Sequence, residues 1–404
     1  MKARSSAVSA LKSMALAVSE RVIPIIQQAL GSLPLPTNLH ASNWAQNGAV
    51  KDTLSRPLRD LRISVTDRCN FRCSYCMPKE IFNNDYPYLP HNALLSFEEI
   101  TKTAKSFVSL GVEKIRLTGG EPLLRKNLEI LIAQLAQLRT PSGQELDITL
   151  TTNGSLLSRK AKQLKEAGLK RVTVSLDGLN DAVFKQMNDV DFPVSDVLEG
   201  IKAAQAAGLG PIKVNMVVKR GTNDQEILPM AHYFKGTGIA LRFIEYMDVG
   251  STNGWRMNEV MPSADVLNLL KTELKLTALA PAQQGETAER WGYVNSEGQH
   301  DPLLGEIGFI SSVSNAFCRD CNRARLTTEG QMYLCLFASQ GYDLKPLIRN
   351  TQNEDELVQA IASIWSGRGD RYSELRQQEK NQATDASIDP KSAKRKVEMS
   401  YIGG

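Results

Sequence analysis

Asp67-Arg68-Cys69-Asn70-Phe71-Arg72-Cys73-Ser74-Tyr75-Cys76 gathers three of the chain's six cysteines into eight residues. The run before it, Leu61-Arg62-Ile63-Ser64-Val65-Thr66, alternates bulky apolar with polar residues and reads as a short strand. The cysteines are therefore expected on a loop at the C-terminal end of a strand. Three thiolates at C-x3-C-x2-C spacing can hold one side of a metal centre and leave one coordination position open. Iron–sulfur clusters are held by thiolates at such spacings, whereas a structural zinc site normally closes with four ligands. The residues favour a cluster, with zinc or three free buried thiols as the alternatives.

From this stretch outward the chain becomes regular. Strands are expected over 61–66, 112–118, 146–151, 171–176, 212–218 and 239–245, with helices between them. Ser96-Phe97-Glu98-Glu99 reads as a capping box that opens a helix, and Gly111 ends it. Further helices are expected over 127–138, 159–167, 195–207 and 223–234. No GxGxxG turn follows the first strand, as a Rossmann-type sheet would require. Polar signals sit instead at the C-terminal ends of many strands, where βα barrels keep their active sites. The expected fold is α/β, an incomplete (βα)6 TIM-like barrel whose open edge is covered by the rest of the chain.

That remainder should hold a helix over 263–274, a polar stretch over 281–305, a strand over 306–312 and a helix over 353–365. Cys318-Arg319-Asp320-Cys321 and, thirteen residues on, Cys335 form a second triplet. Residues 325–334 read as a hairpin turning at Glu329-Gly330, which returns Cys335 to Cys321. Zinc completed by His91, His232 or His300 is the alternative to a second cluster. The expected division is a flexible extension (1–54), the barrel (55–254), a cluster-binding region (255–370) and a mobile tail (371–404). The extension's first 50 residues carry Lys2, Arg4, Lys12 and Arg21 against a single acid, Glu20. It reads as a frayed segment, helical over 5–30, or alternatively as an organellar transit peptide.

The chain has 404 residues, a net charge of +4 and 42% hydrophobic residues. That charge is too mild to imply nucleic acid, but converging arginines would suit a small anion. No apolar run is long enough for a membrane helix. All six cysteines fall in the two triplets, which points to metal binding in a reducing compartment rather than to disulfides.

Gly119-Gly120-Glu121-Pro122 follows the second strand, and its glycines would let backbone approach a ligand closely. Arg62, Arg116 and Lys213 sit inside apolar strands, where an unpaired charge is costly. A barrel interior that faces a polyanion removes that cost. Arg323 and Arg325 flank Ala324, and arginine's planar fork suits phosphate.

The first cysteine stretch resembles the signature of the radical S-adenosylmethionine (SAM) superfamily. Its pairing with the late C-x2-C-x13-C block, Leu241-Arg242-Phe243-Ile244-Glu245-Tyr246-Met247 and the ending Gly403-Gly404 resembles the GTP 3′,8-cyclase family of molybdenum-cofactor biosynthesis. The resemblance implies a lyase with two [4Fe-4S] clusters. Cys69, Cys73 and Cys76 would hold the SAM-binding cluster, and Cys318, Cys321 and Cys335 a substrate-binding one. SAM would be contacted by Tyr75, Gly120, Ser175 and Met247. GTP would be bound by Arg62, Arg116, Thr151, Lys213 and the Arg323-Ala324-Arg325 segment, with Arg323 and Arg325 also in the catalytic set. A SAM-derived 5′-deoxyadenosyl radical would take the hydrogen at C3′ of GTP, and the carbon radical would attack C8. The resemblance further implies a homodimer, a reductant of flavodoxin or ferredoxin type and a downstream cyclic pyranopterin monophosphate synthase. A cytoplasmic location, or an organellar matrix if the extension is a transit peptide, completes the expectation. A peptide-modifying radical SAM enzyme and a non-catalytic zinc protein are the rival readings.

Overall fold

The computed structural model describes residues 32–36, 49–282, 285–315, 318–351, 353–372, 374–375 and 396–404. The expected helix over 5–30 and most of the polar tail lie outside them. Six parallel strands pair in chain order: β1 (Asp60–Ser64), β2 (Lys114–Thr118), β3 (Asp147–Thr152), β4 (Arg171–Ser175), β5 (Lys213–Val218) and β6 (Ala240–Glu245). Helices α1 (Phe97–Ser109), α2 (Leu128–Ala136), α3 (Leu157–Glu166), α4 (Asp181–Asn188), α5 (Val194–Ala206) and α6 (Ile227–Phe234) connect them. Ser96 and Glu99 close the expected capping box at the start of α1.

The period of two along each strand separates two environments. Leu61 and Ile63 of β1 and Ile115 and Leu117 of β2 turn to the helices and are fully buried. Truncating such a leucine or isoleucine to alanine costs about 2–5 kcal/mol. The alternate residues, beginning with Asp60, Arg62 and Ser64, face the interior of the curved sheet.

The remainder of the chain covers the barrel edges by joining the sheet. After α7 (Ser263–Lys271) come β7 (Leu276–Leu279), β8 (Glu289–Tyr293) and β9 (Glu306–Ile310). β9 pairs parallel with β6 and antiparallel with β8. At the other edge β10 (Arg323–Leu326) pairs parallel with β1, and its hairpin partner β11 (Gln331–Tyr333) is followed by β12 (Tyr342–Asp343). The sheet therefore runs β12-β11-β10-β1-β2-β3-β4-β5-β6-β9-β8-β7. The hairpin turns at Glu329-Gly330 as expected, and Gly330 has φ +93°.

Three features depart from the sequence reading. Helix α4 falls in what reads as a connection, although Asn180 caps it by accepting from the amides of Ala182 and Val183. Strand β8 falls in the stretch that reads as polar loop, and β7 in the unassigned residues just before it, because neither strand carries a clear apolar alternation. Residues 49–54 differ from a flexible extension: Val50 and Asp52 are buried, and Val50 pairs its backbone with Leu58 and Leu110. Helices α8 (Lys345–Asn350) and α9 (Glu354–Ser366) pack on α1. No described helix is long and apolar enough to cross a membrane.

Candidate active site

The inward residues of the parallel strands line one cavity of about 920 Å³, which both cysteine triplets also reach. Strand register sorts its polar side chains into layers. Arg325, Arg62, Arg116 and Thr149 are successive cross-strand neighbours on β10, β1, β2 and β3, followed by Arg171 on β4. Arg323, Asp60, Lys114 and Asp147 form the layer beside it. Ser175, Asn215, Arg242 and Gly308 form another. A Cβ at Gly308 would come within 3.0 Å of Arg242 Cγ, so the glycine makes room for that arginine.

Some of these cations are paired. Lys114 meets Asp60, Arg171 meets Asp147, and Arg242 lies 3.6 Å from Glu286. Others are not: the buried Nε atoms of Arg62 and Arg116 find no hydrogen-bond acceptor. Burial, then Arg325, Arg116 and Arg323, push the Arg62 guanidinium well below its ordinary range. Burial, then Arg242, Arg171 and Arg116, lower Lys213 to about 7. Burial alone would raise Asp60, but Lys114, Arg62 and Arg116 reverse this and hold its carboxyl low. Clustered like charges with unmet donors, facing a cavity, are the electrostatic negative of a polyanion.

The first triplet lies on the loop after β1. Its residues are seated from behind by α4: the amide of Arg72 donates to Asn188 and that of Ser74 to Met187, while Phe71 packs edge-on to Phe184. Helix α4, which the sequence reading passed over, is thus part of the site's support. Gly119 and Gly120 bring the next turn against this loop. A Cβ on either would sit 2.3 Å from a carbonyl oxygen, of Thr66 and of Arg68 respectively. The close approach these glycines permit includes the backbone of the cysteine loop, besides the cavity that both of them line. Glu121 fixes the turn by accepting from the amides of Leu123 and Asn153 and from the Thr152 hydroxyl. Its burial raises it to about 7.

Tyr75 is buried with Met187 and Tyr246, and its hydroxyl donates to Asp177 at 2.7 Å. Asp177, raised to about 6 by burial, also accepts from the Val217 amide. Gly120, Ser175, Met247 and Thr151 all line the cavity, and Thr151 accepts from Arg116 at 3.2 Å. Ala324 is the exception among the expected site residues. It turns to the opposite face of β10 and is fully buried, so only its main chain is available there.

In the second triplet Cys318 and Cys321 bracket a short 3-10 turn. Continuing the β10–β11 register beyond Arg325↔Tyr333 brings Cys335 opposite Arg323. Burial raises Cys69 and Cys335 to about 12. Burial would also raise Cys321, but the Arg323 and Arg368 guanidiniums override it and lower that thiol to about 6. Their nitrogens stand 3.4 and 3.3 Å from its sulfur. No three His, Cys, Asp or Glu side chains among the described residues converge on one metal ion. A donor set of three thiolates in each triplet suits a cluster, which spreads three thiolates over three irons. The candidate fourth ligands lie elsewhere. His232 pairs with Glu273, His300 Nδ1 lies 3.2 Å from the Tyr293 carbonyl, and His91 is on an exposed turn.

The C-terminus enters the same cavity. Arg325 donates to the carbonyl of Gly403, and Gly404 lines the cavity wall. Gly403 has φ +75°, and a Cβ there would lie 2.3 Å from Thr118 Cγ2. Upstream, Glu398 accepts from the Ser251 amide and the Thr252 hydroxyl, and Lys396 bonds Asp248 at 2.7 Å. Sequence reasoning missed Arg171, Arg242 and Asn215. The first two carried the signal that revealed Arg62, Arg116 and Lys213, a charge within an apolar strand.

Known proteins place these observations in context. Residues 63–234 match the radical SAM superfamily and residues 239–374 match Molybdenum Cofactor Synthesis C. A GTP 3′,8-cyclase of Acidothermus cellulolyticus is 49% identical over 88% of this chain and 99% of its own length. Those of Staphylococcus epidermidis and Staphylococcus aureus are 48% and 44% identical over the same shares. Among solved structures, Streptococcus suis SuiB bound to S-adenosylmethionine aligns with a TM-score of 0.51 at 15% identity. It covers 80% of this chain and 68% of that one, a likeness of fold.

Proposed function

The chain belongs to the GTP 3′,8-cyclase family of the radical SAM superfamily, and from that premise we propose that it converts GTP to (8S)-3′,8-cyclo-7,8-dihydroguanosine 5′-triphosphate, the opening step of molybdenum-cofactor biosynthesis. The observation that carries the reading is one cavity lined by two cysteine triplets with a layer of arginines. Cys69, Cys73 and Cys76 hold the SAM-binding [4Fe-4S] cluster, and Cys318, Cys321 and Cys335 hold the second. When bound, the first cluster and SAM supply the 5′-deoxyadenosyl radical that takes a hydrogen atom from the ribose C3′.

The protein's own contribution is placement and exclusion of water. Tyr75, Gly120, Ser175 and Met247 border the SAM side. Arg62, Arg116, Thr151 and Lys213 receive the triphosphate, with Arg171 and Arg242 adding charge beside them. Arg323 and Arg325 stand between the cations and the second triplet, where they orient the nucleoside. The Gly403-Gly404 end fills the remaining space against Arg325 and Thr118. An electron donor of flavodoxin or ferredoxin type, a synthase that takes the product onward and a homodimeric state complete the proposal.

The test is anaerobic incubation of reconstituted protein with SAM, reductant and GTP. Expected products are 5′-deoxyadenosine and a cyclised GTP. Release of 5′-deoxyadenosine with unaltered GTP would instead favour another substrate, such as a peptide.

A further inference from the structure

Behind the second triplet lies an ion network that neither the cluster ligands nor the substrate cations account for. Arg56 and Arg368 are each 2% exposed, a state arginine rarely reaches without partners. Each donor group of the Arg368 guanidinium is engaged. Nε donates to Asp370 at 2.6 Å, Nη1 to the Cys321 carbonyl at 2.7 Å, and Nη2 to Cys321 Sγ at 3.3 Å. Its plane lies 4.6 Å over the Trp365 ring, whose indole N–H donates to the Arg56 carbonyl. Arg56 in turn reaches the carbonyls of Cys318 at 2.8 Å and Asp370 at 2.9 Å. Asp52 lies between the two arginines, bonded to Arg56 and 3.6 Å from Arg368. Three distant parts of the chain, around residues 52–56, 318–321 and 365–370, thus meet at the back of one cysteine.

We propose that Arg368 is a positioning residue of the second cluster site, which fixes Cys321 by its carbonyl and its sulfur together and favours the reduced state of the cluster held there. The inference rests on the cluster reading of the second triplet. Hydrogen bonds to sulfur and local charge set the potential of an iron–sulfur centre, and partners beyond the ligands commonly orient them. Asp52 and Asp370 formally balance Arg56 and Arg368. The balance is not symmetric at the sulfur, however: Asp370 accepts from Nε and, at 3.5 Å, from Nη2, and Asp52 lies 3.6 Å from Nη1, while Nη2 itself stands 3.3 Å from Cys321 Sγ. An electron added to the cluster is therefore met first by an N–H and its positive charge. Arg323 also donates to Cys321 Sγ, but it stands in the β10 layer beside Asp60 and the other strand cations, whereas Arg368, which borders the same cavity, is engaged with Asp370 and with Cys321 itself. Arg368 is the residue through which the cluster can be perturbed with those cations in place.

The experiment uses full-length protein with and without R368K or R368Q, in a C69A/C73A/C76A background that leaves only the second triplet. Iron and sulfide are counted after anaerobic reconstitution, and the midpoint potential is read by electron paramagnetic resonance. About four irons are expected per chain in the background. R368Q removes the charge, and its cluster should be at least about tenfold harder to reduce, which is 59 mV for a one-electron couple. R368K keeps the charge but cannot reproduce the fork, so its shift should have the same sign and be smaller. Should R368Q lose its iron, R368K decides. A loaded R368K or R368Q cluster with the unaltered midpoint overturns the inference and leaves the cluster reading intact. Failure of the background itself to load iron overturns that reading, and this inference with it.

Discussion

Gly403→Ala puts the inserted C-terminus to its most direct test. The residue has φ +75° and ψ 108°, a conformation side chains rarely adopt, and holding one there costs on the order of 1–3 kcal/mol. The new methyl would also lie 2.3 Å from Thr118 Cγ2, inside the cavity wall. Overpacking of this kind costs a further ~1–3 kcal/mol. Together the docked tail loses about 2–6 kcal/mol, roughly 30-fold to 10⁴-fold in its docking equilibrium at 1.4 kcal/mol per tenfold. Thr118→Ser removes Cγ2, and the nearest remaining Thr118 atoms lie 3.5 Å from the new methyl. The T118S/G403A double variant should therefore retain only the backbone strain and recover at least about fivefold in product rate over G403A. Gly404→Ala should be milder than G403A, because its methyl meets the flexible side chain of Met399 at 2.8 Å. The assay is cyclised product per 5′-deoxyadenosine released, with iron content and melting temperature as controls. A peptide ending in Gly-Gly should restore part of the G403A activity. Unchanged product yield in G403A, with the fold intact, would refute the insertion argument.

Other outcomes follow from the same geometry. Arg62→Ala should weaken GTP binding about 10- to 100-fold, the worth of a charge-assisted contact, while SAM binding measured by calorimetry stays within twofold. Equal losses would mean general misfolding. Lys213 titrates near 7 in the free protein, and a bound triphosphate must raise it. GTP binding therefore takes up a proton, and the dissociation constant should climb as pH rises from 7 towards the bound-state value. Lys213→Arg, whose charge persists, should flatten that slope in titrations at pH 6.5–8.5, a window set by that pKa, and a slope equal to wild type would assign the proton elsewhere. Cys73→Ala should abolish SAM cleavage and Cys321→Ala should spare some cleavage but stop cyclisation, each leaving about four irons of eight. Cyclised product at the normal rate from C321A would remove the second cluster from substrate handling.

Much of this protein is settled by local sequence. Cysteine spacing, the period-two strands and the Ser96 capping box are short-range signals, and each is found where the pattern puts it. Arg62, Arg116 and Lys213 were legible for the same reason, since a charge within an apolar strand needs a polar interior to face. Helix α4 and the β7–β8 hairpin were less so: the first is brief and the second has no clear apolar alternation, so both depend on what they pack against. Other decisions belong to tertiary structure alone. Register between strands distant in sequence places Arg325 beside Arg62, and β9 beside β6 determines that Gly308 must yield space to Arg242. Gly119 and Gly120 look in sequence like a ligand cradle, and it is the fold that also sets carbonyls from another segment against them. Arg368 reads as an ordinary basic residue after a helix. Its partners at Asp52, Cys321 and Asp370 are defined by contacts across as many as 316 residues of chain, which no local pattern encodes.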